Sequence, residues 1–290
     1  MGLKNQMARR TLVSTAVLAE HLGDPDWVVL DCRHDLSKPE AGRADYEKSH
    51  IPGARFMHVD RDLAGPKTGS NGRHPLPDAT TFAATLGTAG ISAGKQVIAY
   101  DAQDCTNASR LWWMLRWLGH ESVAVLDGGW PKWVRENRLC SAEVPHPRAT
   151  GFSPKTDGSV GTGWVDTAYV LSHLERQDML IVDARSQDRF RGEAEPIDPV
   201  AGRIPGAVCR FFRQNLDAQG CFRSAAELRA DFEAILGAHR PEHAVNSCGS
   251  GVSACHNLLA MEIAGLTGSR LYPGSWSEWC ADPRRPIERG

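Results

Sequence analysis

Cys248 heads the segment Cys248-Gly249-Ser250-Gly251-Val252-Ser253-Ala254-Cys255, in which a nucleophile is followed by residues of little side-chain bulk. His243 to Ser247 before it reads as a buried strand, and Ala254 to Leu266 after it reads as a helix, with Leu258, Leu259, Glu262 and Ile263 at helical spacing. The spacing predicts a strand-to-helix turn with Cys248 at its head. In such a turn successive backbone N–H groups can curl around one atom, and the helix adds its positive end. An anion is the natural occupant. A free thiol is only a few per cent ionised at neutral pH, and N–H donors facing the sulfur favour the reactive thiolate. The same cradle, built from Gly249, Ser250, Gly251, Val252 and Ser253, would hold the outer sulfur of a Cys-S-S⁻ persulfide. For the other seven cysteines, Cys32, Cys105, Cys140, Cys209, Cys221, Cys255 and Cys280, an inert thiol is the expectation.

Two rival motifs overlap this loop. Gly249-Ser250-Gly251-Val252-Ser253-Ala254 satisfies the G-x-G-x-x-A pattern of dinucleotide sites, but that pattern needs a following strand that ends in Asp or Glu. The next candidate strand, near Ser269 to Tyr272, ends in Tyr272-Pro273-Gly274. A cysteine phosphatase would close the loop with an arginine six positions after the nucleophile. Ala254 stands there, so no guanidinium could grip a phosphate bidentately.

The elements that must position the loop are written twice in the chain. Val13-Ser14-Thr15-Ala16, His21-Leu22 and Asp31-Cys32-Arg33 recur as Val165-Asp166-Thr167-Ala168, His173-Leu174 and Asp183-Ala184-Arg185. Ile51-Pro52-Gly53-Ala54 recurs as Ile204-Pro205-Gly206-Ala207, and Gly128-Gly129-Trp130-Pro131-Lys132-Trp133 as Gly274-Ser275-Trp276-Ser277-Glu278-Trp279. Three ordered matches at a period of about 150 residues predict two copies of one domain rather than a solenoid. Apolar runs at Trp27 to Leu30, Gln96 to Tyr100, Ser122 to Leu126, Met179 to Val182 and His243 to Ser247 read as buried parallel strands. Ser14 and Asp166 read as helix N-caps. The fold class expected is α/β, two tandem domains each with a parallel sheet flanked by helices. The expected limits are 11–140 and 164–290, with 141–163 as a Pro- and Gly-rich linker. Trp112, Trp113, Trp117, Trp130 and Trp133 read as packing residues.

The chain has 290 residues, enough for two such cores. A net charge of -2 leaves no global basic field, so neither nucleic acid nor a membrane surface is an expected partner. Eight cysteines scattered over a globular composition suggest reduced thiols and a cytoplasmic location. With no C-x-x-C pair a metal is not expected, and sulfur carried on a cysteine needs no organic cofactor. Lys4, Arg9 and Arg10 before Thr11 to Ala19 imitate a weak leader, but the recurrence of that pattern inside the chain makes it part of a fold.

Over nearly its whole length the sequence resembles the two-domain rhodanese-type sulfurtransferases, and its cysteine loop is similar to that of the 3-mercaptopyruvate enzymes of that family. Thiosulfate-specific relatives carry an arginine and a lysine at the positions of Gly249 and Ser250. A neutral Gly-Ser loop suits a monoanionic carboxylate better than a dianion. The resemblance implies a small-molecule sulfur donor, with thioredoxin, glutathione or another thiol, or cyanide, as acceptor. It also implies a serine-histidine-aspartate relay on Ser250, His74 and Asp60, with Asp62 as an alternative to Asp60. Arg189 aligns with the residue that binds the donor carboxylate. A second arginine expected nearby is Ile197 here, so Arg191 or Arg203 would have to fill its place. In the first half Asp101 falls where the nucleophile would be. A carboxylate there cannot accept sulfur and should be repelled by an anion cradle, so that half should be non-catalytic. The alternatives kept are a thiosulfate sulfurtransferase and a non-enzymatic sulfur-relay or redox module.

Overall fold

Each half of the chain builds a parallel sheet around short, buried central strands. The computed structural model describes residues 9–159, 163–176 and 178–290; Lys4 and Gly161 lie outside them. In the first half the strands are β1 (Leu12–Val13), β2 (Trp27–Asp31), β3 (Arg55–Phe56), β4 (Gln96–Tyr100) and β5 (Val123–Leu126), in the order β1-β5-β4-β2-β3. In the second they are β6 (Leu180–Asp183), β7 (Val208–Cys209), β8 (Ala244–Ser247) and β9 (Arg270–Leu271), in the order β7-β6-β8-β9. All pairings are parallel. A parallel bridge from Trp164 to Leu271 stands where β1 pairs with β5, so the two topologies match. The predicted α/β class and the duplication therefore hold.

Local chemistry explains why the helices start where they do. Ser14 Oγ accepts the backbone N–H of Val17 at 3.2 Å, and Asp166 Oδ1 accepts that of Tyr169 at 2.8 Å, as the N-cap reading requires. The helix after the cysteine loop runs over Ala254–Ile263, ending before Leu266. The tryptophans pack: Trp112 and Trp133 are buried, and Trp113 stacks on Trp117. Among the described residues no helix is long and apolar enough to cross a membrane.

The three repeated landmarks meet at one place in each sheet. Arg33 grips the Asp31 carboxylate, with Nη2 at 2.7 Å, and donates to the Ser49 carbonyl just before Ile51-Pro52-Gly53-Ala54, while its guanidinium lies over Trp130. Arg185 repeats this with Asp183 at 2.8 Å, the Gly202 carbonyl and Trp276. The tryptophan's own N–H then donates to the carbonyl at the head of the strand-to-helix turn, Trp130 to Asp101 at 2.8 Å and Trp276 to Cys248 at 2.9 Å. The motif thus fixes the position at which a nucleophile can stand.

Compactness does not follow the limits 11–140, 141–163 and 164–290. One unit comprises the chain to His58 with Ala79–Asp157; the other comprises Val59–Asp78 with Gly158–Gly290. The expected linker is largely strapped to the first unit: Ser141 pairs with His50, Thr150 bonds to Gly87 and Ile91, and Lys155 N donates to the Leu118 carbonyl. Its prolines leave a path without helical or strand periodicity, and its hydrogen bonds go to carbonyls at helix ends and in loops instead. That is why it looks like a linker in sequence.

A second correction concerns Asp101. The loop does not repel its carboxylate but encloses it: Oδ1 accepts the N–H groups of Gln103 and Cys105 at 2.8 and 2.9 Å, and Oδ2 accepts that of Ala108 at 2.8 Å. The cradle exists in this half and its own side chain fills it. Burial lifts the Asp101 carboxyl from 3.8 to about 6, against the pull of these donors. Between those values the folded chain holds more proton than the unfolded one, so the stability contributed by this group falls as pH rises through that window and is level above it. Replacing Asp101 by Asn, neutral throughout, should shift the unfolding free-energy difference from wild type by about 2 kcal/mol in the variant's favour between pH 4 and pH 7. Urea titrations at the two pH values measure it; a pH-independent difference contradicts the assignment.

Candidate active site

The site belongs entirely to the second unit, because that unit includes Val59–Asp78. Cys248 follows β8 and is 1% exposed, with the loop through Gly251 buried around it. Gly251 N donates to Cys248 Sγ at 3.1 Å, the one cradle bond to this sulfur among the described residues. Gly251 has φ +74° and its Cα lies so close to Pro273 that a Cβ would come within 2.4 Å of the Pro273 carbonyl oxygen. Only glycine meets both demands. Val252 and Ser253 are half-buried, and their carbonyls accept the N–H groups of Cys255 and His256, which start the following helix. Cys255 Sγ turns away to the Gly251 carbonyl.

The serine, the histidine and the aspartate come together. His74 Nδ1 lies 2.8 Å from Ser250 Oγ, and His74 Nε2 lies 3.4 Å from Asp60 Oδ1. Of the two aspartates considered, Asp60 is the one set against His74. His74 is 4% and Ser250 6% exposed. Hydrogen bonding to His74, then to Lys67 at 2.9 Å, holds the Asp60 carboxyl well below the usual carboxylate range despite its partial burial. An ionised Asp60 favours the proton on Nε2, leaving Nδ1 to exchange a proton with the Ser250 hydroxyl. The long stretch Gly65–Gly72 carries Lys67 to this carboxylate. The arrangement can deliver or remove one proton at the Ser250 hydroxyl beside the sulfur loop.

Arg189 stands beside Gly249 of the loop. Its Nε and Nη2 form a fork on Glu195, with contacts from 2.7 to 3.2 Å, and Nη2 also reaches Asp198 Oδ2 at 3.1 Å. Burial works against the Glu195 charge, but the Arg189 fork, together with the N–H groups of Asp198 and Ile197, which it also accepts, holds its carboxyl below the ordinary value. Ile197 is 43% exposed and brings no charge to the cluster. Neither arginine expected to replace it does so. Arg191 pairs with Glu193 at 3.7 Å in solvent, and Arg203 is engaged by Glu288, the Gly290 carbonyl and the face of Phe190. Their own neighbours hold both.

Two further residues contribute that the sequence reading missed. Arg73 pairs with Asp198. Ser275, fully buried at φ +52°, accepts the Cys248 N–H at 3.0 Å through Oγ and donates to the Tyr272 carbonyl at 2.9 Å. Its counterpart in the first unit is Gly129, at φ +53°. A serine in that left-handed conformation where the repeat has glycine was the available signal. Ser275→Ala should destabilise most, since it keeps the backbone strain and strands both hydrogen-bonding groups; Ser275→Gly strands them without the strain. Thermal or chemical unfolding should rank wild type above Gly and Gly above Ala, by about 1 kcal/mol at the last step. Equal stability of all three would contradict this role.

The Rhodanese-like domain family model matches the chain twice, over residues 14–136 and 166–282. A protein of Pseudomonas aeruginosa named as a probable 3-mercaptopyruvate sulfurtransferase is 43% identical over 286 residues, covering 98% of this chain and 100% of that one. The thiosulfate sulfurtransferase of Bos taurus is 34% identical, with 99% and 98% covered. Among solved structures, 3-mercaptopyruvate sulfurtransferase from Leishmania major superposes with a TM-score of 0.83 at 28% identity, over 96% of this chain and 76% of that one.

Proposed function

The chain belongs to the family of rhodanese-like domain proteins, and from that premise we propose that it is a sulfurtransferase that takes sulfur from 3-mercaptopyruvate onto Cys248 and passes it to a thiol. The observation that carries the reading is the relay His74–Ser250–Asp60 beside the Cys248 loop. Attack of the Cys248 thiolate on the donor sulfur forms an S–S bond and breaks the C–S bond, whose electron pair leaves as the enolate of pyruvate. That carbon must gain a proton, and a histidine-backed hydroxyl supplies one. Thiosulfate releases sulfite, a stable anion that needs no proton. A relay is therefore useful for the first donor and idle for the second.

Charge balance supports the same donor. Arg73, Arg185 and Arg189 are ion-paired with Asp183, Glu195 and Asp198, three cations with three carboxylates. Such a surrounding offers fixed donors without a net positive field, which suits a monoanion better than a dianion. The outer sulfur of the persulfide then passes to an attacking thiolate, from thioredoxin, glutathione or a similar small thiol, or to cyanide, and Cys248 returns as thiolate. Asp101 has no sulfur to offer, so one reactive position per chain is expected. The reduced thiols this chemistry requires fit a cytoplasmic setting.

Steady-state assays test the reading. Cys248→Ser should abolish turnover with 3-mercaptopyruvate and with thiosulfate alike. His74→Ala should lower kcat on 3-mercaptopyruvate about a hundredfold while any thiosulfate activity changes little. Equal losses on both donors would remove the proton-transfer role, and an active Cys248→Ser would remove the nucleophile.

A further inference from the structure

The donor carboxylate of the proposed reaction needs a grip, and Arg189 has most of its fork already on Glu195. We propose that Arg73 is the second half of that grip: Arg73 and Arg189, bracketed by Asp198, form a clamp for the donor carboxylate over Gly249. The inference rests on the 3-mercaptopyruvate reading above and names the residues that determine specificity for it.

Backbone placement comes first. Gly72, at φ +83°, lies against Gly274, where a Cβ would come 2.9 Å from the Gly274 carbonyl oxygen. Arg73 N donates to Ser277 Oγ at 3.0 Å, and Ser277 N donates to the Gly249 carbonyl at 2.9 Å. One serine therefore ties the Arg73 backbone to the residue after the nucleophile. The side chain follows suit. Arg73 Nη2 lies 2.8 Å from the point where a Cβ on Gly249 would stand, and Arg189 Nη1 and Nη2 each lie 3.6 Å from the same point.

Two guanidinium groups this close repel each other unless a carboxylate lies between them. Asp198 is that carboxylate, Oδ1 on Arg73 and Oδ2 on Arg189, and it is 8% exposed. A purely structural pair would place the Arg73 fork bidentately on Asp198. Instead only Nη1 bonds it, and among the described residues Nε and Nη2 of Arg73 have no hydrogen-bond partner, nor does Nη1 of Arg189. Nη2 of Arg73 and Nη1 of Arg189 sit next to Gly249, in reach of an anion on the loop. A side chain at position 249 would occupy the ground that Arg73 holds, so the neutral loop and the arginine brought from position 73 belong together.

The test is a comparison of wild type with Arg73→Met and Arg73→Lys at saturating acceptor. Loss of charge-assisted hydrogen bonds to a bound carboxylate should raise KM for 3-mercaptopyruvate about ten- to a hundredfold in Arg73→Met, with kcat within about threefold. Arg73→Lys should fall between, keeping charge without the fork. A KM within twofold of wild type in a folded Arg73→Met overturns the clamp. If that variant fails to fold because Asp198 keeps only Arg189 as its partner, Arg73→Met combined with Asp198→Asn is measured against the same limits. If wild type does not turn over 3-mercaptopyruvate, the proposed function fails by itself. The clamp is then read from pyruvate binding to Cys248→Ser with and without Arg73→Met: a Kd weakened tenfold or more supports it, and an equal Kd overturns it.

Discussion

A buried ion pair underlies everything at the reactive loop. Asp183 ends β6, and Arg185 turns back onto it, reaches the Gly202 carbonyl with the same nitrogen and lays its guanidinium 4.9 Å from the centre of the Trp276 ring. Trp276 in turn donates its backbone N–H to the Cys248 carbonyl. Arg185 is 3% and Asp183 3% exposed, so removing Arg185 leaves the Asp183 carboxylate without its counterion in the interior, a cost of about 3–5 kcal/mol, while removing Asp183 leaves Arg185 with Glu195 alone, at 3.5 Å. The pair joins three separate stretches of chain.

The same lock in the first unit shows what the scaffold does and does not decide. Arg33, Asp31 and Trp130 hold the Asp101 carbonyl as their counterparts hold that of Cys248. The loop that follows turns backbone N–H toward the residue at its head in both units. What differs is the group they meet. Asp101 takes three of them onto its own carboxylate, leaving no room for an incoming anion, whereas Cys248 takes one, from Gly251. In the first unit the loop is closed by its own carboxylate, and in the second it is not. The positive φ shared by Gly129 and Ser275 makes the same point, since the backbone is common and only Ser275 brings a hydroxyl to the turn.

Much of this was legible in the sequence because it depends on local pattern. Buried strands announce themselves as apolar runs, Ser14 and Asp166 cap helices through bonds three residues on, and the duplication is visible in the landmarks themselves. Strands β3 and β7, two residues each, carry no such pattern and were not foreseen. The reactive loop was legible for the same reason as the strands, being one continuous segment. The groups around it were not. Arg73 and Asp198 lie 125 positions apart, and no periodicity links them. The departure at Ile197 drew attention to Arg191 and Arg203, which are near in sequence, while the charge came from a segment far away in the chain. Charge alone does not reveal the place of Asp101, because a short carboxylate on the loop itself can be the cradle's occupant.

The central claim is that Cys248 alone carries sulfur. Intact-mass spectrometry of the wild-type chain after incubation with 3-mercaptopyruvate and no acceptor tests it most directly. A gain of one sulfur atom per chain, mapped by peptide analysis to Cys248 and removed on adding a thiol, is the predicted result. Pyruvate released without any gain in mass, or sulfur found on another cysteine while Cys248 stays unmodified, would contradict it.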